Sequence, residues 1–355
     1  MKTYDCDVLV IGAGPAGSSA AYAAARKGVN VLIVERRALP GLPVQCAEYI
    51  PAPLLGTVDL VRNFVVQSVR GMKTYLPNGE VKETTAAGLM INRDQFDQAL
   101  TSAAVEAGAR LMLSTRAISR QEETVIMRGE DGSHASVYAK VIIGADGPRS
   151  RVGRWIESEN RNLVPAIQAK MALTRPLEFT EVYFDKKIYG GYAWLFPKKH
   201  EANIGLGLKP HKASAKSLNA VLDTFIARLI TEGKIEGSPY GYSAGWIPAE
   251  PVREVTRDNI ILTGDAAGHT HPITGAGIFP AVVCGRMAGS WAARAAKAGD
   301  ATLLKEYESE WRDLFGETLE RAYQRRQFME QEWDRLDDII KYCWVAFREY
   351  YARTE

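Results

Sequence analysis

The 355 residues weigh 39.1 kDa, enough for two domains or for one domain carrying a large insertion. Lys+Arg 44 against Asp+Glu 42 leaves a net charge of +2, too small for a nucleic-acid footprint, while 46% hydrophobic residues give an ordinary globular core. Cys6, Cys46, Cys284 and Cys343 are widely spaced without a CxxC pair, so neither a disulfide framework nor a metal site is expected, and a reducing cytoplasm is the default compartment.

Val8-Leu9-Val10-Ile11 predicts a buried strand, reached so early that no secretory signal fits before it. Gly12-Ala13-Gly14-Pro15-Ala16-Gly17 then predicts a tight turn, small residues from Ser18 to Ala25 a helix, and Val29–Val34 a second strand ending at Glu35. Each part has work to do in a βαβ dinucleotide site. Gly12 permits the turn, Gly14 lets the backbone approach a diphosphate, and Gly17 allows close helix–strand packing. The helix start offers free N–H groups to phosphate. Glu35 suits the hydroxyls of an unphosphorylated ribose, which favours FAD or NAD over NADP.

Further along, Pro77-Asn78-Gly79 between Met72–Leu76 and Glu80–Thr84 predicts a hairpin. Met90–Phe96 hands a strand over to a helix with Arg93 at its start, and Val141-Ile142-Ile143 predicts a strand ending in Gly144-Ala145-Asp146-Gly147-Pro148-Arg149-Ser150. Strands are expected at Val182–Phe184, Tyr189–Pro197 and Ala202–Leu208, and a helix over Ser214–Glu232. Tyr192, Trp194 and Phe196 alternate and therefore share one strand face. Such a wall suits a flat ring or a long apolar substrate, although aromatic stripes also occur in plain cores. Gly205 and Gly207 on the next strand are expected to leave the space opposite it open. Ile260–Thr263 leads into Gly264-Asp265-Ala266-Ala267-Gly268, and His271–Ile278 into a long helix from Phe279 to about Lys297, whose start would carry positive potential.

These patterns predict an α/β chain with a discontinuous, Rossmann-like nucleotide-binding domain over about 1–70, 88–160 and 255–300. An α+β substrate domain over 71–87 and 161–254 is inserted in it, and a helical segment follows over 301–355. Residues 300–355 hold 9 Lys/Arg and 14 Asp/Glu, a net of −5 that leaves +7 for residues 1–299. Trp311 and Phe315, four apart, and Trp344 and Phe347, three apart, predict apolar helical stripes packed on the nucleotide-binding domain. No run of 18 apolar residues occurs, so no transmembrane span is expected. Peripheral contact at the inner membrane stays open, with an acidic tail arguing against attraction to anionic lipid.

Taken together, GAGPAGSSAA with Glu35, INRDQFDQAL around Arg93, GADGPRS at Asp146 and GDAAGHTHPITGAGI at Asp265 resemble the FAD-dependent oxidoreductases that share the aromatic-hydroxylase fold. Tyr192-Ala193-Trp194-Leu195-Phe196-Pro197, followed by Gly205-Leu206-Gly207, is similar to the YxWxFP…GxG pattern of the geranylgeranyl reductase family. The resemblance extends to about residue 330. It implies FAD held by Gly12, Gly14, Pro15, Ala16, Gly17, Glu35, Arg36, Cys46, Ala47, Arg93, Asp146, Gly147, Gly264, Asp265, Pro272, Gly275, Ala276, Gly277 and Ile278. It also implies reduction of isoprenoid C=C bonds, hydride leaving reduced flavin N5 while an acid protonates the other carbon. The substrate, a small molecule or lipid, would lie on Tyr192, Trp194, Phe196, Gly205 and Gly207.

One departure bears on the chemistry. Family members carry a Cys-Gly pair after the second strand, whereas this chain has Cys46-Ala47-Glu48-Tyr49. Cys46 could gate, sense redox state or donate a proton, or be a small buried hydrophobe. Glu48 is a candidate general acid if buried. A flavin monooxygenase hydroxylating an aromatic ring, on a small molecule, protein or peptide, is the alternative reading, and a non-catalytic flavoprotein partner the third. With one dinucleotide motif in the chain, the electron donor is expected to be transient, NAD(P)H or ferredoxin.

Overall fold

Val8–Ile11 is apolar throughout because it lies mid-sheet, with elements covering both faces. The computed structural model describes residues 2–210, 217–251 and 254–352. In the first sheet, Lys2–Ile11 pairs in parallel with Val31–Val34 on one side and His134–Gly144 on the other. Arg110–Met112 and Ile260–Leu262 continue the parallel ladder outward. A hairpin, Thr115–Gln121 with Thr124–Gly129, attaches to His134–Gly144, and Thr256–Arg257 closes one edge. Helices Pro15–Ala25 and Ile278–Ala298 cross in backbone contact because the residues between them are small. A Cβ on Gly289 would lie 1.9 Å from the Ala20 carbonyl oxygen.

The second sheet runs Ile235–Pro248, Leu163–Leu173, Glu201–Gly207, Tyr192–Lys198, Phe179–Tyr183, Val65–Tyr75, Val81–Ile91 and Tyr49–Pro51. Helix Leu218–Thr231 covers one face, burying Val221, Leu222, Phe225, Ile226 and Leu229, and Ser217 Oγ caps it by accepting from Ala220 N at 3.3 Å. The start of the helix expected from Ser214 lies outside the described residues. Ala193 and Leu195 face this helix, so Tyr192, Trp194 and Phe196 turn to the opposite side, toward the first sheet.

Residues 49–51, 65–70 and 88–91, expected with the nucleotide-binding domain, are instead hydrogen-bonded in the second sheet. The turn at Pro77-Asn78-Gly79 is where the sequence puts it, but the strands continue past the legible part of the hairpin. Register shifts between Val65 and Gln67 and between Val69 and Gly71 break the period-2 alternation that would have revealed them.

The tail forms helices Leu304–Trp311, Glu317–Gln331 and Leu336–Cys343, the first two joined by a π-helical turn over Arg312–Gly316. Trp344 and Phe347 do not share a helix: beyond Cys343 the chain is irregular until a short turn at Arg348–Tyr351. Packing is also broader than expected. Trp311 is buried with the first sheet, whereas Trp344 is buried beside Phe184 and donates through its indole to Thr74 Oγ1 at 2.9 Å in the second. Among the described residues, no helix is long and apolar enough to cross a membrane.

Candidate active site

The first βαβ turn opens a cleft of about 490 Å³ running from Glu35 past Gly12 and Gly14 to Gly147 and Asp265. Gly12 has φ +107°, and a Cβ there would sit 2.3 Å from the Ala145 carbonyl oxygen, so only glycine fits. Gly14 has nothing within 4 Å of its missing Cβ, which leaves its face open to a diphosphate beside the start of helix Pro15–Ala25. Glu35 is aimed by two backbone donors, Ala13 N at 2.8 Å and Arg37 N at 3.0 Å. Open backbone at Gly14 and a fixed carboxylate one strand away fit an extended dinucleotide such as FAD. Arg36 is exposed on the rim of the same cleft.

Asp146 lines this cleft, but its carboxylate accepts from Ser150 Oγ (2.5 Å), Arg151 N (2.6 Å) and Val152 N (3.3 Å) at the next helix start. What this stretch leaves free toward the cleft is therefore the backbone of 145–147 and not the carboxylate. Burial pushes the Asp146 carboxyl up, and those donors act the other way. Asp265 faces both this cleft and the cavity beyond, with Oδ1 accepting from Thr270 Oγ1 at 2.6 Å. Burial also raises the Asp265 carboxyl, with Thr270 and Arg93 opposing. Gly264 does not line either space; it packs on Ala16, whose Cβ would meet its own at 2.6 Å.

The second space, about 310 Å³, lies between the two sheets. Tyr192, Trp194 and Phe196 form one wall, and Gly275, Ala276, Gly277 and Ile278, at the start of helix Ile278–Ala298, face it. Cys46, Ala47, Glu48, Tyr49 and Arg93 also line it. The expected open space beside the glycines is absent. A Cβ on Gly205 would be 2.4 Å from Trp194 Cζ2, so Gly205 seats the indole, and Gly207 is not part of the lining. Residue size alone could not show which ring fills the gap.

Below the cavity Cys46, Glu48 and Arg93 meet. Glu48 is fully buried with φ +69°. Its Oε1 accepts from Arg93 N at 2.9 Å, and its Oε2 from Lys198 Nζ at 2.7 Å and Asn203 Nδ2 at 2.9 Å. The Arg93 guanidinium forms a two-point pair with Asp97 at 2.6 and 3.1 Å. Burial pushes the Cys46 thiol up, against the pull of the Arg93 guanidinium. Gln168 Nε2 pins the Cys46 carbonyl at 2.8 Å. Asp97, one helical turn after Arg93, could have been inferred from its spacing. Lys198, Asn203 and Gln168 carry no local signal, since each reaches the loop from a distant strand.

Pro272 lines neither space, and its carbonyl accepts from Arg326 Nη1 of the tail at 2.8 Å. Arg326 Nη2 also donates to the Gly190 carbonyl, and Tyr192 Oη to the Thr274 carbonyl, both at 2.5 Å. His271 Nε2 and Tyr350 Oη are 3.2 Å apart. The tail thus fixes the loop that presents Gly275–Ile278.

Comparison with known proteins follows the same division. Residues 7–147 match the family model of FAD dependent oxidoreductases, and residues 164–238 that of the geranylgeranyl reductase catalytic domain. The chain is 38% identical over 335 residues to digeranylgeranylglycerophospholipid reductase 1 of Methanopyrus kandleri, covering 89% of this chain and 88% of that one. It is 34% identical over 358 residues to the digeranylgeranylglycerophospholipid reductase of Methanothrix thermoacetophila, covering 95% and 90%. The crystal structure of a geranylgeranyl bacteriochlorophyll reductase-like protein from Thermoplasma acidophilum superposes with a TM-score of 0.84 at 27% identity, covering 95% of this chain and 92% of that one.

Proposed function

Because the chain belongs to the geranylgeranyl reductase family of FAD-dependent oxidoreductases, we propose that it reduces carbon–carbon double bonds in the isoprenoid chains of a glycerophospholipid. The observation that carries this reading is the junction of a dinucleotide cleft with an aromatic-walled apolar cavity. When bound, reduced FAD supplies the hydride for one alkene carbon. The chain's own residues do the rest. Glu35 and Gly14 hold the adenosine and diphosphate ends, and the helix start at Gly275–Ile278 offers positive potential to the electron-rich ring system. Tyr192, Trp194 and Phe196 hold the chain and keep water away from it.

The second carbon needs a proton. Both Glu48 oxygens are engaged by three donors, which leaves Cys46 as the better-placed of the two candidates. Burial, by raising the thiol, keeps its proton in place for donation. Electrons arrive from a transient donor, a nicotinamide dinucleotide or ferredoxin, which flavin bleaching by each would distinguish. Contact with the membrane that holds such a lipid is peripheral in this reading.

The test is anaerobic incubation of the reduced holoprotein with digeranylgeranylglycerophospholipid, followed by mass spectrometry. A gain of two hydrogens per double bond is expected. Unaltered lipid would sink the reading, and a product gaining oxygen only in air would replace it with the monooxygenase.

A further inference from the structure

Where the cleft and the apolar cavity join, one arginine stands apart from the others. The Arg149 guanidinium carbon lies 4.0 Å from the centroid of the Trp246 ring, and Trp246 lines both spaces. Arg36 and Arg116 lie exposed along the cleft with no aromatic ring beneath them among the described residues, and the other cations in or beside the two linings are engaged by their neighbours. Lys198, just behind the wall, is paired with Glu48, Arg93 with Asp97, and Arg154 with Glu159. Arg37 donates to Pro43 O and Gln45 Oε1, and Arg151 to Ile118 O. Arg149 is exposed, and among the described residues it has no carboxylate within ion-pair distance. Asp146 and Asp265, which line the cleft with it, are turned to Ser150 and Thr270.

We propose that Arg149, seated on Trp246, is a phosphate-binding subsite at this junction and takes the anionic headgroup of the lipid whose chain enters the apolar cavity. The inference rests on the isoprenoid-lipid reading above. Its physical basis is a division of labour between the spaces. A phosphate cannot follow the chain between Tyr192, Trp194 and Phe196 without losing its hydration, so it stops at the mouth. A guanidinium on an indole face keeps its charge and its forked donors while giving up side-chain freedom in advance. Arginine is suited to a phosphate there because two parallel N–H donors match two phosphate oxygens. The same chemistry could be offered by the diphosphate of the dinucleotide in the adjoining cleft, so the experiment must separate the two sources.

The probes are geranylgeranyl phosphate and geranylgeraniol, which differ only in the phosphate, tested on FAD-loaded wild type, Arg149→Ala, Arg149→Lys and Trp246→Leu. Equilibrium binding to the oxidised holoprotein is measured by calorimetry, KM and kcat by anaerobic turnover, and FAD affinity by titrating apoprotein. Arg149→Ala is expected to weaken phosphate binding relative to the alcohol by about tenfold or more, with Arg149→Lys and Trp246→Leu intermediate. An unchanged phosphate-to-alcohol ratio overturns the subsite, as does a loss confined to FAD affinity, which would assign the arginine to the cofactor's diphosphate. If wild type binds the phosphate better through Arg149 yet leaves digeranylgeranylglycerophospholipid unaltered, the subsite stands and the proposed reaction falls. If it binds neither, both fall.

Discussion

Lys198 Nζ and Glu48 Oε2 are 2.7 Å apart in the interior, with side chains only 2% and 1% exposed, and they join the second sheet to the loop beneath the aromatic-walled cavity. Asn203 and the Arg93 N–H complete the shell around the carboxylate. The pair explains how a positive-φ glutamate holds its place, and why Cys46 two residues earlier faces the cavity. Removing one partner leaves a buried charge without compensation. Lys198→Met should therefore destabilise by about 3–5 kcal/mol. Lys198→Met with Glu48→Gln should recover much of that in denaturant unfolding. A single mutant as stable as wild type would show that the pair does not support the loop.

Gly205→Ala tests the seat of the indole. The added methyl would meet Trp194 Cζ2 at 2.4 Å, Gln168 Cβ at 2.6 Å and the Ile167 carbonyl oxygen at 2.6 Å. One of these contacts is backbone, so the wall must shift at a cost of about 1–3 kcal/mol. Lower Tm with weakened binding of an isoprenoid alcohol, while FAD affinity holds, is the expected pattern. Equal affinity for the alcohol would show that Trp194 does not shape the chain site.

Glu35→Ala removes an acceptor that two backbone N–H groups hold in position. FAD should bind about 10- to 100-fold more weakly, the range for losing one or two charge-assisted hydrogen bonds. Fluorescence titration of the apoprotein reads this directly. An unchanged Kd would remove Glu35 from the ribose site.

Two buried histidines set a pH dependence. Burial lowers His269 to about 3 and His271 to about 4, with Arg312 and Arg321 respectively adding to the shift. The unfolded groups titrate near 6.5, so on acidification the unfolded chain takes up protons first. The stability these groups retain is complete above about pH 6.5 and declines as pH falls toward 4 and below. At pH 5 each accounts for a loss of about 2 kcal/mol. Burial raises the carboxyls of Asp97, Asp146 and Asp265, an effect of opposite sign at lower pH. The comparison of His269→Leu with wild type is therefore the informative one. Urea midpoints between pH 7 and 5 should fall less steeply in the variant, and parallel slopes would contradict the assignment.

The strand–turn–helix–strand unit that opens the cleft is legible in the sequence because its parts are local. Gly12, Gly14, Pro15 and Glu35 act within one strand–turn–helix–strand unit, where spacing along the chain fixes spacing in space. The aromatic wall was readable for the same reason, since alternation in one strand puts Tyr192, Trp194 and Phe196 on one face. What lies opposite that wall was not. Residue size alone predicts a gap at Gly205, whereas a ring from the neighbouring strand fills it.

The two-domain bound from chain length and the near-zero net charge said little about how the pieces meet. By itself the sequence determined the nucleotide motif, the wall and the tail's acidity, each set by neighbours in the chain. Tertiary structure alone decided that Glu48 is held by Lys198 from 150 residues away, that Arg326 of the tail anchors Pro272, and that Arg149 rests on Trp246. The physical reason is one of range. Backbone conformation and strand-face alternation are short-range, whereas ion pairing and ring contact depend on which distant strands the sheet order brings together.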